Sequence, residues 1–441
     1  MKISIPELSL VVLVGPAGAG KSTFAQRHFR PTEVLSSDFF RGLLCDDESV
    51  QEATVDAFNV LTQIVAKRLT GGRLTVIDAT NVQPEDRKPL VALARKHHCV
   101  PVAIVFDLPP AECQRRIRER GVRPVPRDVI ERQHGRMKES IPLLMREGFE
   151  RVIRVGEESS VDAPALEREP LPSNLRHEYG PFDIIGDVHG CCTELETLLD
   201  DLGYAVESRS EGESLSAGPV YRHRERRLAV FLGDLGDRGP RILDTIRLVY
   251  NMVSRRRAIC VMGNHDIKLL RRLKGHRVKQ SYGFDRTVTE LEALPPDVRG
   301  AFGEPLAAFL AGLPSHCVLD DGRLVVAHAG MRQELQGRSS AKVHHFALYG
   351  ETTGETDEFG APVRYNWAAE YAGAAMVVYG HTPVVEPVWQ NRTLNVDTGC
   401  VFGGKLTALR YPEKEWVSVA ARERYFVPDR SHQEATDQVP V

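Results

Sequence analysis

Gly15-Pro16-Ala17-Gly18-Ala19-Gly20-Lys21-Ser22 follows directly on the apolar run Ser9–Val14 and opens onto a helix-forming stretch, 22–29. A glycine, four residues and then Gly-Lys-Ser is the spacing of a phosphate-binding loop. Its glycines let backbone N–H groups converge on phosphate oxygens, and the following helix aims its positive end at them. Lys21 then reaches the outer phosphates of a nucleotide, and the Ser22 hydroxyl holds Mg²⁺. Gly15, Gly18, Gly20 and Thr23 complete the nucleotide-binding set. The apolar run before the loop reads as a buried parallel strand. Further segments of that kind, 33–37, 73–77 and Val100–Phe106, alternate with helical stretches. The alternation predicts an α/β domain with a doubly wound parallel sheet, whose ligands gather at the carboxyl ends of its strands.

Two carboxylates fall on that rim. Asp38, in Ser36-Ser37-Asp38-Phe39-Phe40-Arg41, has the placement of a general base for an acceptor hydroxyl, with Arg41 three residues on to hold an acceptor phosphate. The same pair reads equally well as a helix N-cap with a surface arginine. Asp78, in Val76-Ile77-Asp78-Ala79-Thr80-Asn81, is the rival carboxylate, placed to order Mg²⁺ through water. Residues 112–138 carry eight arginines, one lysine and four acidic residues. Charge runs are usually solvated faces. Arg116 and Arg120, however, share a helix face, and Arg123 lies in the turn beyond. These three predict a lid that closes over the nucleotide and stabilises the transferred phosphoryl group.

A second constellation lies downstream: Gly186-Asp187-Val188-His189, Gly233-Asp234-Leu235-Gly236-Asp237-Arg238-Gly239, Gly263-Asn264-His265-Asp266, His328 and Gly380-His381. Each group follows an apolar segment, as loops do when a sheet edge builds a metal site. Asp187 and His189 serve one ion, Asp234 bridges, and Asn264, His328 and His381 complete the ligands of the second ion. Mixed Asp, His and Asn donors favour Mn²⁺ first, with Ni²⁺, Fe or Zn²⁺ as alternatives, over Ca²⁺. Such a pair about 4 Å apart activates water and clamps phosphoryl oxygens. Arg238 would hold the phosphate, and His265, steadied by Asp237, would protonate the leaving oxygen. One chain thus carries a site that moves phosphate on and a site that takes it off.

Length and composition set the frame. With 441 residues, 42% of them hydrophobic, the chain can bury two or three cores. A net charge of −3 gives no global pull toward polyanions or membranes. The eight cysteines show no metal-type spacing, and their one close pair, Cys191-Cys192, is adjacent and ill-suited to a disulfide. Free thiols suit a reducing cytoplasm. The apolar stretch before the glycine loop is too short to span a bilayer, so no membrane association is expected. We place an N-terminal domain at 1–160, a linker at 161–180, a second α/β domain at 181–412 and a C-terminal extension at 413–441. Its tail from Pro428 on is expected to be partly disordered.

In this order the motifs resemble the bacterial polynucleotide kinase-phosphatase family of RNA end repair, over roughly residues 5 to 410. Asp-Ala-Thr-Asn at 78–81, Gly-His-Thr at 380–382 and Val-Asp-Thr-Gly-Cys at 396–400 carry the likeness. The resemblance implies a P-loop kinase domain followed by a binuclear metallophosphoesterase domain. The first would use ATP and Mg²⁺ to phosphorylate 5′-OH ends. The second would remove 2′- or 3′-phosphates and open 2′,3′-cyclic ends. It places Lys21 and Ser22 at the nucleotide, Asp38 as base, Arg41 on the acceptor, and Arg116, Arg120 and Arg123 in the lid. Asp397 joins Arg238 beside the metal ligands. RNA ends, with DNA ends as the alternative, are the implied partners. A separate RNA ligase or RNA-modifying enzyme and a homodimer are further partners to test, because no ligase nucleophile motif is found in the chain.

Two departures stand out. Gly236 occupies a position usually held by a bulky aliphatic residue, which would loosen Asp237 and Arg238. Gly380-His381-Thr382-Pro383 lacks a second histidine, as in the branch containing protein Ser/Thr phosphatases. The rival reading is a small-molecule P-loop kinase fused to a protein Ser/Thr or dinucleoside-polyphosphate phosphatase.

Overall fold

The computed structural model describes residues 3–120, 124–156, 165–356 and 362–427. The chain divides into two compact units, Met1–Leu171 with Arg338–Ser340, and Pro172–Gly337 with Ala341–Val441.

The first unit is built on a five-stranded parallel sheet in the order Val34–Ser36, Thr75–Asp78, Ser9–Val14, Val100–Phe106, Arg151–Val155. Leu10, Val11, Val12, Leu13 and Val14 are all fully buried. A strand covered by helices on both faces needs such an unbroken apolar run. Ser9–Val14, the earliest of the five in the chain, lies in the middle, with the next two in the chain to one side and the last two to the other. The glycine loop therefore leaves the sheet where strand order reverses, the crevice in which ligands settle in open α/β sheets. Gly20 has φ +96° and caps the helix Lys21–His28. Gly18 has φ +78°, and a Cβ there would stand 2.5 Å from the Cys113 carbonyl oxygen.

The second unit packs two sheets face to face. One is five-stranded: Ala258–Cys260, Leu228–Phe231 and Phe182–Ile185 run parallel, and Lys405–Tyr411 and Glu415–Ala420 complete it antiparallel. The other is six-stranded, with Leu324–Ala327, Met376–Tyr379 and Thr393–Asn395 at its centre. Strand alternation divides the apolar side chains between two layers. Ile184, Val230, Leu324 and Val326 meet between the sheets, whereas Ile185, Ala229 and Phe231 join the core beneath the helices Cys192–Leu202 and Ile242–Ser254. The architecture is a P-loop kinase-like α/β unit followed by an α/β metallophosphoesterase unit.

Some boundaries differ from those expected. In the stretch read as a linker, 161–180, Leu166–Glu169 pairs with Ile3–Pro6, and Asn174–Leu175 pairs with His316–Leu319. In the C-terminal extension, Glu415–Ala420 is an integral strand, because Val417 and Val419 pack onto the core. An antiparallel hairpin, Tyr204–Ser210 with Gly218–His223, follows the helix Cys192–Leu202. The tail from Pro428 on, for which partial disorder was expected, lies outside the described residues. Among the described residues no helix is long and apolar enough to cross a membrane.

Candidate functional site

In the first unit, Lys21 is buried and donates from Nζ to the carbonyl oxygens of Gly15 and Pro16, both at 2.8 Å. Burial lowers its pKa to about 8, against the pull of Asp78. Asp78 ends its strand, is buried, and accepts a hydrogen bond from Ser22; burial raises its carboxyl above the usual range. Asp38 sits in the first turn of the helix Ser37–Cys45 with 61% of its side chain exposed. The structure thus separates the two carboxylates: Asp78 lies under the loop beside the Mg²⁺-type hydroxyl, and Asp38 stands on the rim. Arg41 is not free to wait for an acceptor phosphate. Its guanidinium donates to Asp38 Oδ1 and, from Nε, to the Glu48 carbonyl at 2.9 Å.

The arginine-rich helix Pro110–Arg120 lies along the start of the loop helix. Arg120 donates to the Thr23 hydroxyl. Arg116 stands 3.3 Å from where a Cβ on Gly20 would be, and bonds Glu112 at 2.7 Å. Arg123 lies outside the described residues. Between this helix and the loop is a cavity of about 330 Å³, lined by Gly20, Phe24, His28, Phe106, Leu108 and Arg116 among others.

In the second unit the six expected ligands converge, each from the loop after a strand. Asp187 and His189 follow Phe182–Ile185, Asp234 follows Leu228–Phe231, and Asn264 opens the helix after Ala258–Cys260. His328 and His381 follow Leu324–Ala327 and Met376–Tyr379. Asp234 Oδ2 lies 3.5 Å from both His189 Nε2 and His328 Nε2. His328 Nε2 is 2.8 Å from Asn264 Oδ1 and 3.0 Å from His381 Nδ1. Asp187 accepts from the His381 backbone N–H at 3.1 Å.

The outer contacts fix which atoms face inward. His189 Nδ1 donates to the Gly236 carbonyl at 2.8 Å, and His328 Nδ1 to that of Leu232 at 2.9 Å. Both rings therefore turn a lone pair on Nε2 toward Asp234. Burial depresses the pKa of His189, His265, His328 and His381, that of His328 to about 4, so the rings are neutral, as metal ligation requires of His189, His328 and His381. Burial also raises Asp187, with Asp397 and Asp234 adding repulsion, and brings Asp234 to about 7. Asp187 Oδ1 and His381 Nε2 are buried without a hydrogen-bond partner. Acceptors facing acceptors, with two of them orphaned, are what divalent cations would satisfy. Two donor clusters, His189–Asp234–His265 and Asp234–His328–His381, share Asp234.

Arg238 spans this cage. It donates to His189 Nε2 at 2.7 Å and His265 Nε2 at 2.9 Å, and its guanidinium stacks 5.3 Å from the Phe402 ring centroid. His265 Nδ1 is bonded to Asp237. The loosening expected from Gly236 is absent. Thr287 accepts from the Asp237 N–H at 3.0 Å and donates its hydroxyl to Asp237 Oδ1. His189, Asp234, Asp237, Arg238 and His381 all have positive φ, strain that concentrates at working sites.

Two supports were not assigned roles from the sequence. Asp266 accepts the N–H groups of Asp234, Leu235 and Gly263 at 2.9, 3.1 and 3.0 Å, locking two ligand loops together. Its position three residues past Gly263, in a helix's first turn, was the available signal. Thr287 had none nearby. An open groove of about 680 Å³, lined by Tyr379, Val384, Val385, Val388 and Trp389 among others, adjoins this region through the Val384 N–H bond to the Asp397 carbonyl at 2.9 Å.

Residues 10–144 match the family model described as AAA domain, and residues 180–385 match that described as calcineurin-like phosphoesterase. Curated relatives include the asymmetrical bis(5′-nucleosyl)-tetraphosphatase PrpE of Geobacillus sp. strain WCH70. It is 46% identical over 249 residues, covering 56% of this chain and 97% of the relative. The protein of the same name from Geobacillus thermodenitrificans strain NG80-2 is 47% identical over 238 residues, covering 54% and 93%. That from Oceanobacillus iheyensis is 42% identical over 245 residues, covering 56% and 94%.

Proposed function

The chain belongs to the calcineurin-like phosphoesterase family, and from that premise we propose that its second unit hydrolyses dinucleoside polyphosphates asymmetrically while its first transfers phosphate from a bound nucleotide. The observation that carries the reading is the Asp234-centred cage, spanned by Arg238, in a unit alike over nearly the full length of proteins named as tetraphosphatases.

Asp187, His189, Asp234, Asn264, His328 and His381 would hold two divalent ions, which when bound activate water and neutralise phosphoryl oxygens. Arg238 exchanges its contacts with His189 and His265 for two oxygens of the reacting phosphate. Once Arg238 turns to the phosphate, His265 Nε2 takes up a proton from solvent and passes it to the leaving oxygen, while Asp237 holds the opposite ring nitrogen and steadies the imidazolium. The groove lined by Val385, Val388 and Trp389 gives a nucleoside an apolar surface to rest on. In the first unit, the loop backbone and Lys21 hold the nucleotide's outer phosphates, Ser22 and Asp78 the Mg²⁺, and Asp38 takes the acceptor proton.

End healing of RNA stands as a second reading. It is favoured by Asp38, a rim carboxylate beside a P-loop in the same chain as a phosphatase. One experiment divides the two. The full chain, with Mn²⁺ and Mg²⁺, is given bis(5′-adenosyl) tetraphosphate in one reaction. In the other it receives ATP and an RNA oligonucleotide bearing 5′-OH and 2′,3′-cyclic-phosphate ends. Release of ATP and AMP far faster than any change at the RNA ends is expected. Rapid gain of a 5′-phosphate and loss of the cyclic phosphate, with the dinucleotide untouched, would replace this reading with end healing.

A further inference from the structure

Cys191 and Cys400 are widely separated in sequence, yet their sulfurs lie within 4.8 Å of each other in the second unit, where the Cys191 thiol donates weakly to the His189 carbonyl. Glu194, in the first turn of the helix Cys192–Leu202, brings a carboxylate oxygen within 4.8 Å of both sulfurs. The three residues are 0, 1 and 1% exposed. Glu194 Oε1 accepts from the Arg422 N–H at 3.0 Å and the Tyr425 hydroxyl at 2.7 Å. Its Oε2 is buried with no hydrogen-bond partner. A buried carboxylate oxygen without a donor is costly to maintain unless a cation meets it. Two sulfurs and a carboxylate make a softer donor set than the Asp, His and Asn cage, and select a different ion.

We propose that Cys191, Cys400 and Glu194 form a third metal site, which takes a thiophilic divalent cation such as zinc. On binding, each thiol releases its proton to solvent and its sulfur forms a bond to the ion, while the carboxylate binds as it stands. No oxidant or reductant is involved. Cys191 lies two residues beyond His189 and Cys400 three beyond Asp397, so the ion ties together the two loops that carry these cage residues. The proposal is independent of the substrate assigned to the cage.

The test is cobalt loading of the full chain. Thiolate bound to Co²⁺ absorbs intensely in the near ultraviolet, and carboxylate, imidazole and amide donors give no such band. The expected result is this band together with about three cobalt ions per chain, bleached by added zinc. Cys400→Ser should lose the band and one ion. Should that variant fail to fold, Glu194→Gln supplies the ion count, again one fewer. The proposal is overturned by two ions per chain with no band, or by a band that survives Cys400→Ser. Intact-mass evidence that the purified chain carries a Cys191–Cys400 disulfide would also overturn it.

Discussion

Two regions of this molecule are built to meet phosphate, and they differ in what their polar groups do with one another. In the glycine loop, Lys21 spends its protons on Gly15 and Pro16, Ser22 bonds Asp78, Arg41 bonds Asp38, and Arg120 bonds Thr23. Donors and acceptors there are mixed, so the site satisfies itself. In the Asp–His cage the inward groups are nearly all acceptors. Arg238 alone donates inward from a side chain among the described contacts, and Asp187 Oδ1 and His381 Nε2 remain unpaired. A pocket for a polyanion can close on its own carbonyls and reopen. A pocket for cations cannot, because carboxylates and neutral imidazoles have no protons to exchange.

The contrast is sharpest where each site is cut at its centre. Asp234→Ala removes the carboxylate shared by both donor clusters. Phosphoester hydrolysis should fall by more than the ~10³-fold typical of one lost transition-state contact. Nucleotide-driven transfer by the first unit should be unchanged, and both are read on the same preparation. Lys21→Ala is the mirror experiment, with transfer reduced about 10²- to 10³-fold and hydrolysis intact. Either substitution silencing both reactions would mean that the two sites are not separable.

A smaller effect probes the support beneath the cage. Thr287→Val deletes the hydroxyl that donates to Asp237 while keeping the side chain's volume. A second-sphere partner of this kind is worth about 10- to 100-fold. The loss should appear in kcat with little change in KM, since Asp237 acts through His265 and not on bound substrate. A variant with full activity would show that backbone strain alone orients Asp237.

The two sites also differed in how much of them the sequence made readable. Eight consecutive residues, one strand before and one helix after, define the glycine loop, and Ser9–Val14 stands where its apolar run predicts. The cage ligands were found because each follows a short apolar strand, a local cue repeated along the unit. What eluded local reading is what depends on distant pairing. Thr287 meets Asp237 across 50 residues. Glu415–Ala420 became a strand because Lys405–Tyr411 offers it an edge and the core takes Val417 and Val419. Cys191 has only the adjacent Cys192 near it in sequence, but in the fold its sulfur lies within 4.8 Å of that of Cys400. Arg41 was expected to hold an acceptor phosphate, and its bond to Asp38 is a property of the folded helix turn that the sequence does not display.

The smallest expected effect separates the sites by the direction of their pH dependence. Lys21 has a pKa lowered to about 8, so above that pH it loses its proton. Bound phosphates restore the charge, and nucleotide binding must then take up a proton. Affinity should therefore fall with rising pH, by at most about tenfold per unit above pH 8. Asp234 lies the other way, raised to about 7, so below that pH a cation must displace a proton. Cation affinity should fall as pH drops, again by at most about tenfold per unit for one proton. Calorimetry in buffers of different ionisation heats reads both, as proton uptake with nucleotide at pH 9 and proton release with Mn²⁺ at pH 6. Lys21→Met should abolish the first without touching the second. Equal slopes of the same sign would mean that both sites answer to a shared change in the protein and not to these two groups.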